Sequence, residues 1–204
     1  MEIAKKKLLI FDYDGTIADT SILHKRAFHK TLEPLKLKFD YNEIAGLKTI
    51  DAIYYCMNEN GKKLSSEEIK LLVKNKQSIF SEIIKKEIQP ISGVKEFLYW
   101  AYSKYNLFIA SSGSKKNVYK GLKLLGLFEL FNKIICADDV NLAKPHPEIF
   151  YKAIKTANIS KKEALIFEDS DNGINASRKA GIDYIDIRTH PFKEILSEFK
   201  KNGI

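Results

Sequence analysis

Asp12 and Asp14 stand two residues apart where the apolar run Leu8-Leu9-Ile10-Phe11 ends, and Gly15 follows them. Carboxylates at i and i+2 after a strand point into the same space, and a glycine lets the chain turn sharply behind them. Two acids in one space can divide labour, one as nucleophile and one as proton donor and acceptor. Taken alone, Asp12-Tyr13-Asp14-Gly15-Thr16 competes with the plainer reading of a polar turn. Three later segments, each where another apolar run ends, weigh against that reading.

The first is Ala110-Ser111-Ser112-Gly113-Ser114-Lys115. Hydroxyls and backbone amides at a strand-to-helix turn form a cradle for an anion, although a Ser-capped helix start would have the same look. The segment lacks the Gly-x-x-x-x-Gly-Lys spacing of a P-loop. The second is Ala143-Lys144-Pro145-His146-Pro147-Glu148, where nearby prolines restrict the backbone that carries Lys144 and so let its ammonium be aimed at a phosphate oxygen. A lone lysine in a rigid surface turn is the commoner case, and His146 takes no role. The third is Phe167-Glu168-Asp169-Ser170. Acids at the end of a buried strand are costly unless a cation or a donor meets them. Asp12, Asp169 and the carbonyl of Asp14 make an oxygen set suited to Mg²⁺, which keeps waters and takes few carboxylates. No His or Cys cluster offers a softer metal a better site.

These segments need elements to carry them. Leu8 to Phe11, Leu107 to Ala110, Ile134 to Ala137, Ala164 to Phe167 and Tyr184 to Ile187 each read as a buried strand, and Val118 to Leu125, Pro147 to Ala157 and Gly173 to Ala180 as helices between them. Continuous apolar strands alternating with helices predict an α/β fold, a doubly wound, Rossmann-like parallel sheet covered on both faces. About 90 residues separate the first two strands, and they read as helical over Ile22 to Leu35, Ile50 to Met57 and Ser66 to Ile88, with a capping box at Ser65-Ser66-Glu67-Glu68. A crossover needs far fewer residues. The expectation is therefore a core over 1–17 and 90–204 and an inserted helical-bundle cap over 18–89, leaving from the sheet edge where ligands bind and closing over it.

The chain of 204 residues carries a net charge of +8, almost all of it from lysine scattered along the sequence, with Arg26, Arg178 and Arg188 its only arginines. Nucleic-acid readers tend to concentrate arginine and exposed aromatics on one face, so solvated lysine faces are the better reading and no nucleic acid is expected. No apolar run approaches the length of a membrane span and no secretory leader is visible, so a cytoplasmic protein with no membrane partner is expected. Cys56 and Cys136 lie far apart and form no Cys-x-x-Cys pair.

The four strand-end segments in this order resemble the haloacid dehalogenase-like hydrolase superfamily, along essentially the whole chain. The helical insertion is similar to the small cap of the subfamily that includes β-phosphoglucomutase and many sugar-phosphate phosphatases. The resemblance implies that Asp12 becomes phosphorylated and that Asp14 serves as acid and then base. It implies that Ser111, with the amides of Ser112 and Gly113, holds the transferring phosphoryl group beside Lys144. Asp12, Asp14 and Asp169 would hold Mg²⁺, with Glu168 either supporting them from behind or serving as an outer ligand. An acid at position 14 favours oxygen leaving groups over halide, which needs no proton. His24 resembles a histidine found at this point in both mutases and fructose-1-phosphate-type phosphatases, though it could equally sit on a polar helix face. Lys48 and Lys76 are the cationic handles available to the cap, where a mutase is expected to carry an arginine; as ordinary surface lysines they would do nothing. Asp171 and Asn172 fit either substrate binding or the cap of the next helix. The expectation is a monomeric Mg²⁺-dependent phosphatase for a small-molecule phosphorylated substrate, such as a sugar phosphate, with a hexose-phosphate mutase as the alternative. A catalytically silent binding protein would have no reason to keep Asp12, Asp14, Lys144 and Asp169 together.

Overall fold

The computed structural model describes residues 3–201. Five strands form one parallel sheet: β1 (Leu8–Phe11), β2 (Asn106–Ala110), β3 (Lys133–Ile135), β4 (Ala164–Glu168) and β5 (Asp183–Asp186). Their spatial order is β3-β2-β1-β4-β5. After β1 the chain builds outward on one side and then returns to build on the other. That puts a topological switch at β1, where a crevice opens beyond the carboxyl ends of the strands.

The strands are apolar throughout because both faces of the sheet are covered. Alternation sends Leu9 and Phe11 into one core layer with Phe97, Phe167, Phe192 and Phe199. Leu8 and Ile10 join the other, with Ile149, Phe150, Ile166 and Ala176. The first layer packs under α5 (Val94–Ala101), α6 (Lys115–Leu125) and α9 (Phe192–Lys201), and the second under α7 (Glu148–Ala157) and α8 (Asp171–Ala180). Phe11 and Phe167, side by side on β1 and β4, stack with ring centroids 4.6 Å apart.

Between β1 and β2 lie α1 (Ser21–Leu32), the single turn α2 (Tyr41–Ile44), α3 (Thr49–Glu59) and α4 (Ser66–Glu87). These helices have apolar clusters of their own, one around Phe28, Ile53 and Ile69 and another around Leu23, Phe80 and Ile84. The α4 N-terminus carries the expected capping box: Ser65 accepts the Glu68 amide and the Glu68 carboxylate accepts the Ser65 amide. The two connectors to the sheet run beside each other, tied by Asp19 N–H to the Gln89 carbonyl at 2.8 Å and Ile91 N–H to the Ile17 carbonyl at 3.0 Å.

Several element ends differ from the sequence expectation by a few residues. β3 stops at Ile135 because the Cys136 amide turns to the Asp139 carboxylate, 3.0 Å away, and starts a short 3₁₀ turn over Ala137–Asp139. β5 begins and ends one residue early. α8 starts at Asp171, and its cap is Ser170, whose hydroxyl accepts the Gly173 amide; neither Asp171 nor Asn172 caps it.

Between the two motif aspartates, Tyr13 points the opposite way, into the core, where its ring is 1% exposed and its hydroxyl has no hydrogen-bond partner. The hydroxyl fits because α6 presents Gly121 there; a Cβ on Gly121 would lie 1.8 Å from it. Gly121→Val is expected to lose about 3 kcal/mol of stability, because a close-packed core cannot yield that space. Urea unfolding of both proteins checks this, and an unchanged midpoint would contradict it.

Candidate active site

Asp12 leaves β1 with its amide bonded to the Phe167 carbonyl of β4 at 2.9 Å, so the ends of the two strands are pinned together. The Lys144 ammonium sits beneath, 2% exposed. It donates to Asp12 Oδ1 at 2.6 Å, to Glu168 Oε1 at 2.5 Å and to the Ala110 carbonyl at 2.9 Å. One side chain thereby ties the ends of β1, β2 and β4. Burial disfavours its charge, but the Asp12 and Glu168 carboxylates outweigh that and hold its pKa above the ordinary lysine value.

Glu168 is wholly buried, and its second oxygen accepts the amides of Asp169 and Ser170, each at 3.0 Å, and the Ser170 hydroxyl at 3.1 Å. Both oxygens are thus taken by protein donors, which favours the supporting role over that of an outer metal ligand. Gly173 makes room for it, since a Cβ there would fall 1.8 Å from the Glu168 carboxylate. Asp169 is held by the Thr16 hydroxyl at 3.0 Å and approaches Gly15 so closely that a Cβ would stand 2.1 Å from its Oδ2. Burial, and then the charge of Glu168, push Asp169 up to about 7. Asp12 is raised well above the usual carboxylate range by burial and by Glu168, Asp169 and Asp14, against the pull of Lys144.

Asp14 behaves differently. Burial pushes its pKa up, but the charge of His24, the hydrogen bonds from His24 and Thr20, and the charge of Lys76 win, and it lies below the usual value. His24 Nε2 is 2.8 Å and the Thr20 hydroxyl 2.7 Å from Asp14 Oδ1. His24 Nδ1 is 2.6 Å from Lys76 Nζ. A lysine ammonium can only donate, so with Lys76 charged Nδ1 accepts and Nε2 carries the proton it gives to Asp14. The row Lys76–His24–Asp14 runs from α4 through α1 to the sheet. Lys76 is no surface lysine: it is 2% exposed and lies 4.4 Å over the Phe28 ring and 5.0 Å over Phe80, on which His24 stacks.

A cavity between sheet and helices gathers Asp12, Asp14, His24, Lys76, Ser112, Gly113 and Asp169. Besides Glu168, three residues from the sequence reading lie elsewhere. Ser111 is buried behind the cavity and its hydroxyl accepts the Gly113 amide at 2.9 Å, so that amide is turned toward Ser111. Lys144 reaches the cavity only through Asp12. Lys48, read as a cap handle, is 2.6 Å from the Val140 carbonyl and 3.2 Å from that of Asn141, latching the helical segment to the loop after β3. Its ammonium is therefore spent on the protein and does not line the cavity. In turn the cavity includes Ser21, Phe28, Tyr41 and Thr49, which sequence reading did not single out. Helical periodicity marks Phe28 as buried, but nothing local says that its face meets the site.

Among the described residues no three His, Cys, Asp or Glu side chains form a group that could hold a metal by themselves. Asp12 and Asp169 nonetheless line the same cavity as hard oxygen donors, and both are raised by burial and by their neighbours' negative charge. A hard cation completed by a main-chain carbonyl and water suits that donor set.

Folding takes Lys76 from the usual lysine pKa down to about 7, because burial outweighs the attraction of Asp14. The unfolded chain therefore holds this proton between about pH 7 and 10 while the folded one releases it, and stability from this group rises with pH across that window. From pH 7 to 8.5, wild type is expected to gain up to about 1.4 kcal/mol per pH unit relative to Lys76→Met. Unfolding midpoints of both proteins at several pH values check it; parallel curves would contradict it.

Residues 9–187 match the family model described as haloacid dehalogenase-like hydrolase. The chain is 30% identical over 182 residues to the phosphorylated carbohydrates phosphatase of Thermotoga maritima, covering 87% of this chain and 82% of that protein. It is 26% identical over 180 residues to the fructose-1-phosphate phosphatase of Escherichia coli, covering 88% and 95%. A crystal structure of β-phosphoglucomutase from Clostridium difficile superposes with a TM-score of 0.84 at 23% identity, covering 96% of this chain and 98% of that one, which is a likeness of fold.

Proposed function

The chain belongs to the haloacid dehalogenase-like hydrolase family, and we propose that it hydrolyses a phosphorylated carbohydrate through a covalent phosphate on Asp12. The observation that carries this reading is the pair of environments around the two aspartates. Lys144 fixes Asp12 by Oδ1, which leaves its other oxygen to attack phosphorus. Asp14 is joined to the imidazole of His24, a proton source and sink placed on the cap side of the same cavity.

In the first half, an Asp12 oxygen bonds to phosphorus as the bond from phosphorus to the leaving oxygen breaks, and Asp14 gives that oxygen its proton. In the second half, Asp14 takes a proton from water, whose oxygen bonds to phosphorus as the Asp12–phosphorus bond breaks. Phosphate leaves and Asp12 is restored. Asp14 must be protonated for the first half and ionised for the second; the hydrogen bond to His24 offers a route between these states. Ser112 lines the same cavity and its amide would meet the group in transfer, while Lys144, acting through Asp12, favours the ionised nucleophile. Asp12, Asp169 and the Asp14 carbonyl would hold Mg²⁺, which when bound supplies positive charge against the phosphoryl oxygens. The helical segment 18–89, joined to the core by two neighbouring connectors, would act as the lid that excludes bulk water.

Hydrolysis is favoured over transfer to a second sugar oxygen because Lys48, one of the two available cap cations, is committed to main-chain carbonyls. A mutase must retain a substrate with two phosphates. Incubation with β-glucose 1-phosphate and its bisphosphate separates the two readings, since glucose 6-phosphate formed without free phosphate would overturn hydrolysis.

With sugar phosphates and Mg²⁺, wild type is expected to release phosphate, while Asp12→Asn falls by at least about 10⁴-fold with unchanged circular dichroism. EDTA is expected to abolish turnover, and added Mg²⁺ to restore it. Full activity of Asp12→Asn would remove Asp12 from the chemistry, and full activity in EDTA would remove the metal.

A further inference from the structure

The helical segment lines the cavity with Phe28, Tyr41, Ile44, Leu47, Thr49 and Lys76, beside Ser21 and the His24 already described. Apart from the His24 imidazole, its polar side chains are three neutral hydroxyls, of Ser21, Tyr41 and Thr49, and one ammonium. That ammonium is bonded to His24 Nδ1 at 2.6 Å and bracketed by the Phe28 and Phe80 rings, so it has little left to offer another anion. The arginines are all engaged elsewhere: Arg26 with Glu87, Arg178 with Tyr184 and Asn175, and Arg188 with Asp171 and Asp186. On the floor stand Asp12, Asp14 and Asp169. A carboxylate or a second phosphate on the leaving group would enter a desolvated space facing three acids, with no uncommitted cation among the described lining residues. Burying such a charge unpaired is costly. An uncharged leaving group with several hydroxyls meets the Tyr41 and Thr49 hydroxyls and lays its C–H faces on Phe28, Ile44 and Leu47.

We propose that this wall selects phosphate monoesters of uncharged polyols and sugars, and rejects leaving groups that carry a second phosphate or a carboxylate. The selection rests on the phosphatase reading above and adds to it the charge of the group that departs.

The test compares kcat/KM, with Mg²⁺ present, for pairs sharing a carbon skeleton: glycerol 3-phosphate against 3-phosphoglycerate, and fructose 1-phosphate against fructose 1,6-bisphosphate. The neutral member of each pair is expected to be preferred about 100-fold, the scale set by leaving one buried charge unpaired. Thr49→Lys, which places a cation on the wall, is expected to cut that ratio to about 10-fold or less by raising turnover of the charged member. Equal or faster turnover of the charged members by wild type overturns the proposal. So does an unmoved ratio in Thr49→Lys, because selection would then arise away from this wall. Failure to hydrolyse any of the four, or p-nitrophenyl phosphate, overturns instead the phosphatase reading beneath it.

Discussion

The buried ammonium of Lys144 is the interaction on which the rest of the site depends. Three strands end at the same level with acids on two of them, and the interior there is too dry to leave those acids unpaired. Lys144 spends all three donors on Asp12, Glu168 and the Ala110 carbonyl, so the charge that makes Asp12 usable also fixes how β1, β2 and β4 finish. Removing one member of such a buried set costs far more than the pair contributes, because an uncompensated charge stays behind. Glu168 extends the constraint: its other oxygen organises the turn that carries Asp169 and, through Ser170, the start of α8.

Against this rigid floor the helical segment supplies a second, softer charge system. Asp14 looks away from Lys144 and toward His24 and Lys76, and its pKa moves opposite to that of Asp12 although the two are neighbours in sequence. The two carboxylates therefore have different partners: Asp12 faces an ammonium that favours its ionised form, and Asp14 faces an imidazole that can give or take a proton. Because His24 and Lys76 belong to α1 and α4, the state of Asp14 is tied to the position of the helices over the sheet.

Much of the floor was legible in the sequence, since it sits at strand ends and strands announce themselves as apolar runs. Asp12, Asp14, Lys144 and Asp169 could each be tied to a predicted strand, and the five-stranded parallel sheet could be read from the alternation of apolar runs with amphipathic helices. The roof was not legible. Whether Lys76 lies on the solvent or the site face of a 22-residue helix depends on how that helix packs against α1, and periodicity leaves that choice open. Lys48 shows the converse: a cation beside a glycine-bearing loop looked available, yet carbonyls distant in sequence claim it. For Glu168 the sequence left two roles open for the same reason, because its donors include a lysine 24 residues upstream that only the folded sheet brings near. Ser170 rather than Asp171 caps α8 because the cap is decided by backbone geometry at the strand end, which residue type alone does not fix.

Covalent transfer to Asp12 is measured most directly by mixing the enzyme with a turned-over sugar phosphate and Mg²⁺, quenching in acid within the first turnovers, and mapping phosphopeptides by mass spectrometry. The expected result is an acyl phosphate, cleaved by hydroxylamine, on the peptide that contains Asp12, and its loss in Asp12→Asn. A phosphoryl group on a different residue, or burst-free turnover with Asp12 unmodified at every quench time, would contradict it.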